Sequence, residues 1–172
     1  MRRGVAIIVG LVLLATACAD DDQPGVAADE SEALRTLIAE DLVASQQEGA
    51  IGFDEPQAAC TADGFVERFG AEQLRAWGYD EETGQTPEGD LTIADEELRV
   101  DAWGILRDCV DVTDQITVIL ADSGGLDDEQ ARCVAQRYVD SEIAAHAVFG
   151  PADPEVNDAV DELLEDAVAD CS

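Results

Sequence analysis

The chain has 172 residues and an extreme acidic charge, with 40 Asp and Glu against 9 Lys and Arg and a formal net charge of −31 at pH 7. Such a surface repels polyanions, which excludes nucleic-acid binding and disfavours contact with anionic lipid headgroups. It favours cations and basic partners, although adaptation to salt is the simpler explanation for the acidity.

The N-terminus has the pattern of an export signal. Two arginines precede an apolar stretch over residues 5–14, which is too short to span a bilayer as a stable helix. The stretch ends in LATAC at residues 14–18, a run that resembles the lipobox of bacterial lipoproteins. The resemblance implies that residues 1–17 are removed and that Cys18 carries a diacylglycerol, which anchors the protein to the outer face of the cell membrane. An ordinary signal peptide, cut within a residue of that cysteine, is the alternative.

The segment after the signal has little to bury. Residues 18–29 are mostly Asp, Ala, Gly and Pro, which predicts a disordered acidic tether. Residues 30–172 are enough for a single domain with its own core. Helical periodicity begins over residues 31–45, with one apolar face made of Leu34, Leu37, Ile38 and Leu42.

A short pattern then occurs twice in the chain. Residues 53–62 (FDEPQAACTA) reappear as residues 126–135 (LDDEQARCVA). In each copy an Asp, Asp54 or Asp127, is the expected helix N-cap, and the Gln three residues later completes a capping box. An Ala and a Cys follow. The pattern is similar to that of small exported helical proteins of unknown function from actinobacteria, a resemblance that carries no activity.

Further helices follow the first copy. That helix is expected to slacken at Gly70, and an acidic loop covers residues 79–90. Thr92 is the expected cap of the next helix, because Asp95 lies three residues after it. Residues 112–120 are rich in β-branched residues, which suits a strand, but they also form a helical face and the chain offers no second strand to pair with. Helix is therefore the preferred interpretation.

The second copy is expected to form one helix over residues 128–149. Asp153 and Pro154 then begin a last helix. The order of elements repeats, so we predict a duplicated all-α bundle of about six helices, built from similar units at residues 31–110 and 111–172.

Four cysteines besides Cys18 are available for pairing, an even number that indicates two disulfides in an exported chain. Four cysteines allow three connectivities, and the duplication selects Cys60–Cys109 and Cys133–Cys171. A structural zinc site is the competing interpretation. It has poor support because there is no C-x-x-C motif and His146 is the only histidine.

The sequence gives little support for catalytic or metal-ligating residues. His146 is better explained as a helix-surface or satisfied histidine than as the base of a triad. The acidic loops at residues 80–82 and 122–128 offer oxygen ligands for calcium, but neither has the EF-hand spacing. Pairs of carboxylates suited to glycoside hydrolysis are uninformative in a chain with so many acids. We therefore expect no cofactor and no metal.

Three aromatic residues are the candidate contacts for a partner or ligand. Trp77, Tyr79 and Trp103 are the aromatic side chains for which partial exposure is predicted, and the 79–90 loop beside them is the largest departure from the duplication. Packing into the core against the long loop is nevertheless the preferred interpretation for Trp77 and Tyr79.

The sequence thus predicts a non-enzymatic, lipid-anchored extracytoplasmic protein with an envelope interaction or structural role. A small-ligand-binding lipoprotein, with a cleft between the two helical units, is the second hypothesis. A hydrolase that uses two acids is the third.

Overall fold

The computed structural model describes residues 24–45, 51–89 and 91–172. Within them the backbone forms seven α-helices and no β-strand, with one isolated bridge between Asp80 and Gln85. The helices are α1 (Pro24–Ala44), α2 (Glu55–Ala76), α3 (Glu96–Cys109), α4 (Val112–Gly124), α5 (Asp128–Val139), α6 (Ile143–Phe149) and α7 (Pro154–Asp170). None of these helices is both long and apolar enough to cross a bilayer. The predicted all-α class is confirmed.

Both predicted capping boxes are present. The Asp54 carboxylate accepts a hydrogen bond from the Gln57 N–H at 2.8 Å, and the Gln57 side chain accepts one from the Asp54 N–H at 3.0 Å. Asp127 and Gln130 repeat this arrangement at 2.9 and 3.4 Å. The duplicated pattern therefore starts α2 and α5 in the same way.

The prediction of one helix over residues 128–149 is wrong. The chain leaves the helix after Val139 and resumes at Ile143 as α6, which gives seven helices instead of six. Ser141 causes the interruption locally, because its hydroxyl and its N–H both donate to the Tyr138 carbonyl, at 2.6 and 3.0 Å. In the first copy Gly70 bends α2 at a related point, as expected, with φ at 71°.

Two predicted helix starts are also wrong. Asp95, not Thr92, is the N-cap of α3, and its carboxylate accepts from the Leu98 N–H at 3.1 Å. The chain before Asp95 cannot be helical because Ile93 is buried and donates its N–H to the Phe149 carbonyl at 2.7 Å. The other error is at α1, which begins at Pro24 rather than at residue 31. The predicted tether is therefore helical from residue 24, and residues 18–23 lie outside the described residues.

Residues 112–120, which could have been a strand, lie in helix α4. The Asp111 carboxylate caps it by accepting from the Asp114 N–H at 3.0 Å. Gly125 ends it in the left-handed region with φ at 66°, a conformation that costs glycine little. The helical interpretation is confirmed.

The two halves of the chain have the same plan and share a core. α2 packs between α1 and α3, and α5 packs between α4 and α7. The halves join where α3 packs on α6, and Phe149 of α6 places its ring 6.3 Å from that of Phe65 in α2. The Gln115 amide of α4 adds hydrogen bonds of 2.8 Å to both the N–H and the carbonyl of Gly52.

Candidate functional site

Each half of the chain has one disulfide that joins two of its helices, with the predicted connectivity. Cys60 of α2 is bonded to Cys109 of α3, and Cys133 of α5 is bonded to Cys171 just after α7, with Cα–Cα distances of 5.6 and 5.9 Å. Gly64 allows α2 and α3 to approach, because a Cβ at that position would lie 2.5 Å from Ile105 Cγ2. These four cysteines are therefore structural, and the competing zinc interpretation is wrong for them.

Each disulfide is accompanied by an ion pair between the same two helices. Arg68 of α2 pairs with Asp101 of α3, and Arg137 of α5 pairs with Asp170 of α7 at 2.9 Å. The two ion pairs occupy different positions relative to the cysteines, since Arg68 lies eight residues after Cys60 and Arg137 four residues after Cys133, so each half pairs its helices with charges of its own.

The other arginines of the described residues are also engaged within the chain. Ion pairs join Arg35 to Asp63, Arg75 to Glu81, Arg107 to Asp140 and Arg132 to Asp114. The buried Arg99 instead donates to the carbonyls of Ile93 and Ala94 at 2.9 and 2.8 Å, which holds the segment before α3. All seven arginines are used in this way, so the surplus of carboxylates is left to define the surface charge.

The predicted exposure of Tyr79 and Trp103 is wrong, since they are only 2% and 5% exposed. The Tyr79 hydroxyl donates to the Asp41 carboxylate of α1 at 3.2 Å. Burial, followed by the nearby Asp41 charge, raises the pKa of Tyr79 above its ordinary value. Both rings belong to the core of the first half, Tyr79 at the start of the 79–89 segment and Trp103 on the inner face of α3.

Trp77 is half-buried and meets Phe69 edge to face, with ring centroids 4.8 Å apart. The segment that follows it is tied down by mutual hydrogen bonds between the backbones of Asp80 and Gln85, at 2.9 and 3.0 Å, and by the pairing of Arg75 with Glu81. Hydrogen bonding to Arg75 holds the pKa of Glu81 below its usual value. The start of the loop is thus held against α2, in agreement with the preferred interpretation that these rings pack into the core.

At the predicted cleft between the two halves, residues of both line an open depression of about 360 Å³, among them Arg107, Val110 and Gln136. The more enclosed cavity beside Phe149 measures about 110 Å³ and is lined otherwise by residues of the first half, mainly Phe53, Phe65, Leu91 and Leu106, with Asp41 and Tyr79 at one side. Pockets for drug-sized ligands measure about 300–1,000 Å³, so this cavity has room for only a few non-hydrogen atoms.

His146 lies in α6, packed against Gly150. Its Nε2 atom is buried and has no hydrogen-bond partner among the described residues, as is also true of Trp103 Nε1. The expectation of a surface or satisfied histidine is thus wrong for this nitrogen. A Cβ on Gly150 would lie 2.3 Å from His146 Cδ2, so the ring packs closely against the end of α6 and requires glycine at that position.

Two large apolar side chains of the described residues are mostly exposed, Val100 on α3 and Val118 on α4. Val118 is 59% exposed and lies between Asp114 and Asp122, one turn away in each direction. It lines a depression of about 330 Å³ between α4 and α5, which continues along α5 into one of about 610 Å³. We call this surface the acidic groove. The residues that line it include Val118, Ala121, Asp122, Asp128, Glu129 and Arg132.

The acidic groove was missed from the sequence. The available signal was Val118 itself, a valine outside the apolar face formed by Val112, Ile116, Ile119 and Leu120. Within the part of the chain that the structure describes, no group of three or more His, Cys, Asp and Glu could hold a metal ion, in this groove or elsewhere.

Comparisons with known proteins add no further assignment: no family model, curated protein or solved structure matches the chain at a significant level. Cys18 and the segment that resembles a lipoprotein signal lie outside the described residues.

Proposed function

We propose that the chain is a lipid-anchored extracytoplasmic domain that works by binding another protein of the cell envelope. The observation that carries the interaction role is the incomplete burial of its second half. Residues 111–172 contain seven Ile and Leu, and not one of them is buried, while Val118 is 59% exposed. Apolar surface that a fold leaves accessible is typical of protein interaction sites.

The location rests on two independent features of the chain. Residues 14–18 resemble a lipobox, and the remaining cysteines form two disulfides, which persist in oxidising compartments. Since α1 begins at Pro24, only five residues separate the proposed lipidated Cys18 from the first helix. At about 3.5 Å per residue, that spacing keeps the start of α1 within about 20 Å of the lipid anchor.

A small-ligand receptor is the second candidate, and the 110 Å³ cavity beside Asp41 and Tyr79 favours it. A carboxylate next to aromatic rings could accept a small amine. The size of the cavity limits this role to ligands of a few atoms, so we rank it below the interaction role.

The anchor is tested by intact mass measurement of the native membrane form. We expect a mass above that of the 18–172 polypeptide by a diacylglycerol or more, and we expect Cys18→Ala to prevent maturation. A soluble native protein that begins at residue 19 or later would contradict the anchor.

The interaction role is tested in the native membrane with a photo-crosslinking amino acid placed at Val118 or, as a control, at Val100. Val100 lies on α3 and is 57% exposed, so the two positions are matched in accessibility. We expect a discrete protein adduct from position 118 and none from position 100. Equal or absent crosslinking at both positions would contradict a protein-binding role for this half.

A further inference from the structure

We propose that the acidic groove binds a basic amphipathic helix of a partner protein, through aliphatic contact at Val118 and ion pairs at its acidic rim. This inference rests on the proposed interaction function and specifies the chemistry of the partner.

The floor of the groove is apolar although it faces solvent. Val118 is 59% exposed on α4, with Ala121 and the buried Thr117 next to it on the wall facing α5. The disulfide-bonded Cys133 extends this floor along α5. A surface valine costs solvation free energy unless something covers it, and a partner side chain that did so would gain roughly 25 cal/mol for each Å² of apolar area removed from water.

The rim of the groove has an unbalanced negative charge. Its one cation, Arg132, pairs with Asp114 at 3.1 Å, so the two charges largely cancel. Asp122, Asp128 and Glu129 then leave three carboxylates around the floor, and all three residues are exposed. A partner that offers Lys or Arg would gain ion pairs and would also be attracted over longer distances by the net charge.

The same charges exclude other occupants of the groove. A second copy of a chain with a net charge of −31 would be repelled, as would a nucleic acid or an anionic lipid surface. A divalent cation is disfavoured because no group of three potential ligands occurs among the described residues. A helix with aliphatic residues on one face and Lys or Arg beside them at i, i+3 and i+4 meets both requirements of the groove, aliphatic contact at Val118 and cations at the rim, since that spacing places both kinds of residue along one line.

The test uses the mature lipidated protein in phosphatidylcholine nanodiscs, with empty nanodiscs as the blank. The probe is a fluorescent synthetic Leu/Lys peptide of about 18 residues, roughly the five turns of an amphipathic helix. Fluorescence polarisation is measured at about 0.15 M salt, where exposed charges farther apart than about 8 Å are screened. We expect saturable binding, and we expect a peptide of the same composition in scrambled order to bind at least about tenfold more weakly, because it cannot place its leucines on one face.

Two matched pairs of variants locate the binding. Asp128→Asn with Glu129→Gln neutralises two exposed carboxylates in the first turn of α5, and Glu96→Gln with Glu97→Gln does the same in the first turn of α3. Val118→Ser and Val100→Ser remove equally exposed valines from α4 and α3. We expect the groove variants to weaken binding by about three- to tenfold, and the α3 variants by less than about twofold.

Equal weakening by both members of a pair would show that the peptide responds to overall charge, and would overturn the groove proposal. Absence of saturable binding, or equal affinity of the scrambled peptide, would overturn it as well. None of these results bears on crosslinking from position 118 in the native membrane. The broader interaction function can therefore survive the failure of this specific inference.

Discussion

The two halves of the molecule use the same plan but bury very different side chains. In residues 31–110 the core includes Leu34, Ile38, Leu74, Ile93 and Leu106, each no more than 2% exposed, together with Tyr79 and Phe65. In residues 111–172 the buried residues are mostly Ala and Val. The largest of them, Phe149, packs on Phe65 of the first half.

This difference teaches that duplication of caps and cysteines does not duplicate the core. The first half has a long segment after α2 that places Tyr79 and Ile93 over its helices, whereas the second half has only a short connection between α6 and α7. The first half is thus a covered core, while the second relies on its disulfide, on its contact with the first half, and on any partner that covers its exposed aliphatic residues.

Removal of one disulfide at a time should reveal the largest difference in stability between the two halves. The loops closed by Cys60–Cys109 and Cys133–Cys171 span 49 and 38 residues, so loop entropy predicts a similar loss of about 4 kcal/mol for each. With Cys133 and Cys171 both changed to Ser, we expect α7 to lose hydrogen-exchange protection while α1–α3 keep theirs. With Cys60 and Cys109 changed to Ser, protection should fall throughout the molecule.

Hydrogen exchange measured by mass spectrometry on the two double variants distinguishes these outcomes. If α7 loses protection only together with α1–α3 in both variants, the second half is not the weaker unit and the comparison fails.

Phe149→Ala should have the next largest effect. The ring is 8% exposed and joins the halves, so its removal should lower the free energy of unfolding by about 3 kcal/mol. The matched change Leu164→Ala, at a half-buried position in α7, should cost about 1 kcal/mol. Urea unfolding checks both values. Equal losses would mean that the second half has a core of its own and does not depend on Phe149.

Much of the fold could be predicted because its signals are local. An Asp followed three residues later by Gln gives a capping box wherever it occurs, and the repeated spacing of the cysteines selected their pairing. The break at Ser141 could not be predicted, because it involves neither Gly nor Pro and depends on which hydrogen bonds the serine makes in the folded chain. The buried position of Tyr79 depends on how the segment after α2 returns to Asp41 of α1, which periodicity does not report.

The candidate site was less predictable than the fold. The acidic groove exists because α4 and α5 pack with Val118 pointing away from both halves of the core. The sequence marks Val118 only as a valine outside the apolar face. The orientation of α4 is set by distant contacts, such as the Gln115 amide with Gly52, that no local pattern reveals.

Tyr79→Phe should test the covered core of the first half with a smaller effect. Loss of the hydrogen bond to Asp41 should cost about 1–2 kcal/mol at about pH 8. Burial raises the pKa of Tyr79 in the folded state, so its contribution to stability is complete below the ordinary tyrosine pKa of about 10 and is lost as the pH rises above that value. The wild-type protein should therefore lose more stability than the variant between about pH 8 and pH 10.5.

Urea unfolding of both proteins at the two pH values gives the comparison. Tyr138 is half-buried and desolvation raises its pKa too, so some loss of stability at alkaline pH should persist in the variant. Identical pH dependence in the two proteins would show that Tyr79 does not cause the loss of stability at alkaline pH.

Added salt should have the smallest effect on stability, and it should stabilise the second half more than the first. Residues 111–172 contain 16 Asp and Glu against two arginines, and residues 31–110 contain 19 against five in a longer stretch. Salt weakens the arginine ion pairs, each worth at most about 1 kcal/mol at the surface, but it also screens the repulsion among a much larger number of carboxylates. We therefore expect the melting temperature to rise by a few degrees between about 0.01 and 0.15 M NaCl, with a larger gain of hydrogen-exchange protection in α7 than in α2.

Magnesium and calcium at matched ionic strength should act alike, because screening depends on charge and not on coordination geometry. A gain specific to calcium would instead reveal a metal site, and an equal gain in α2 and α7 would remove charge density as a difference between the halves.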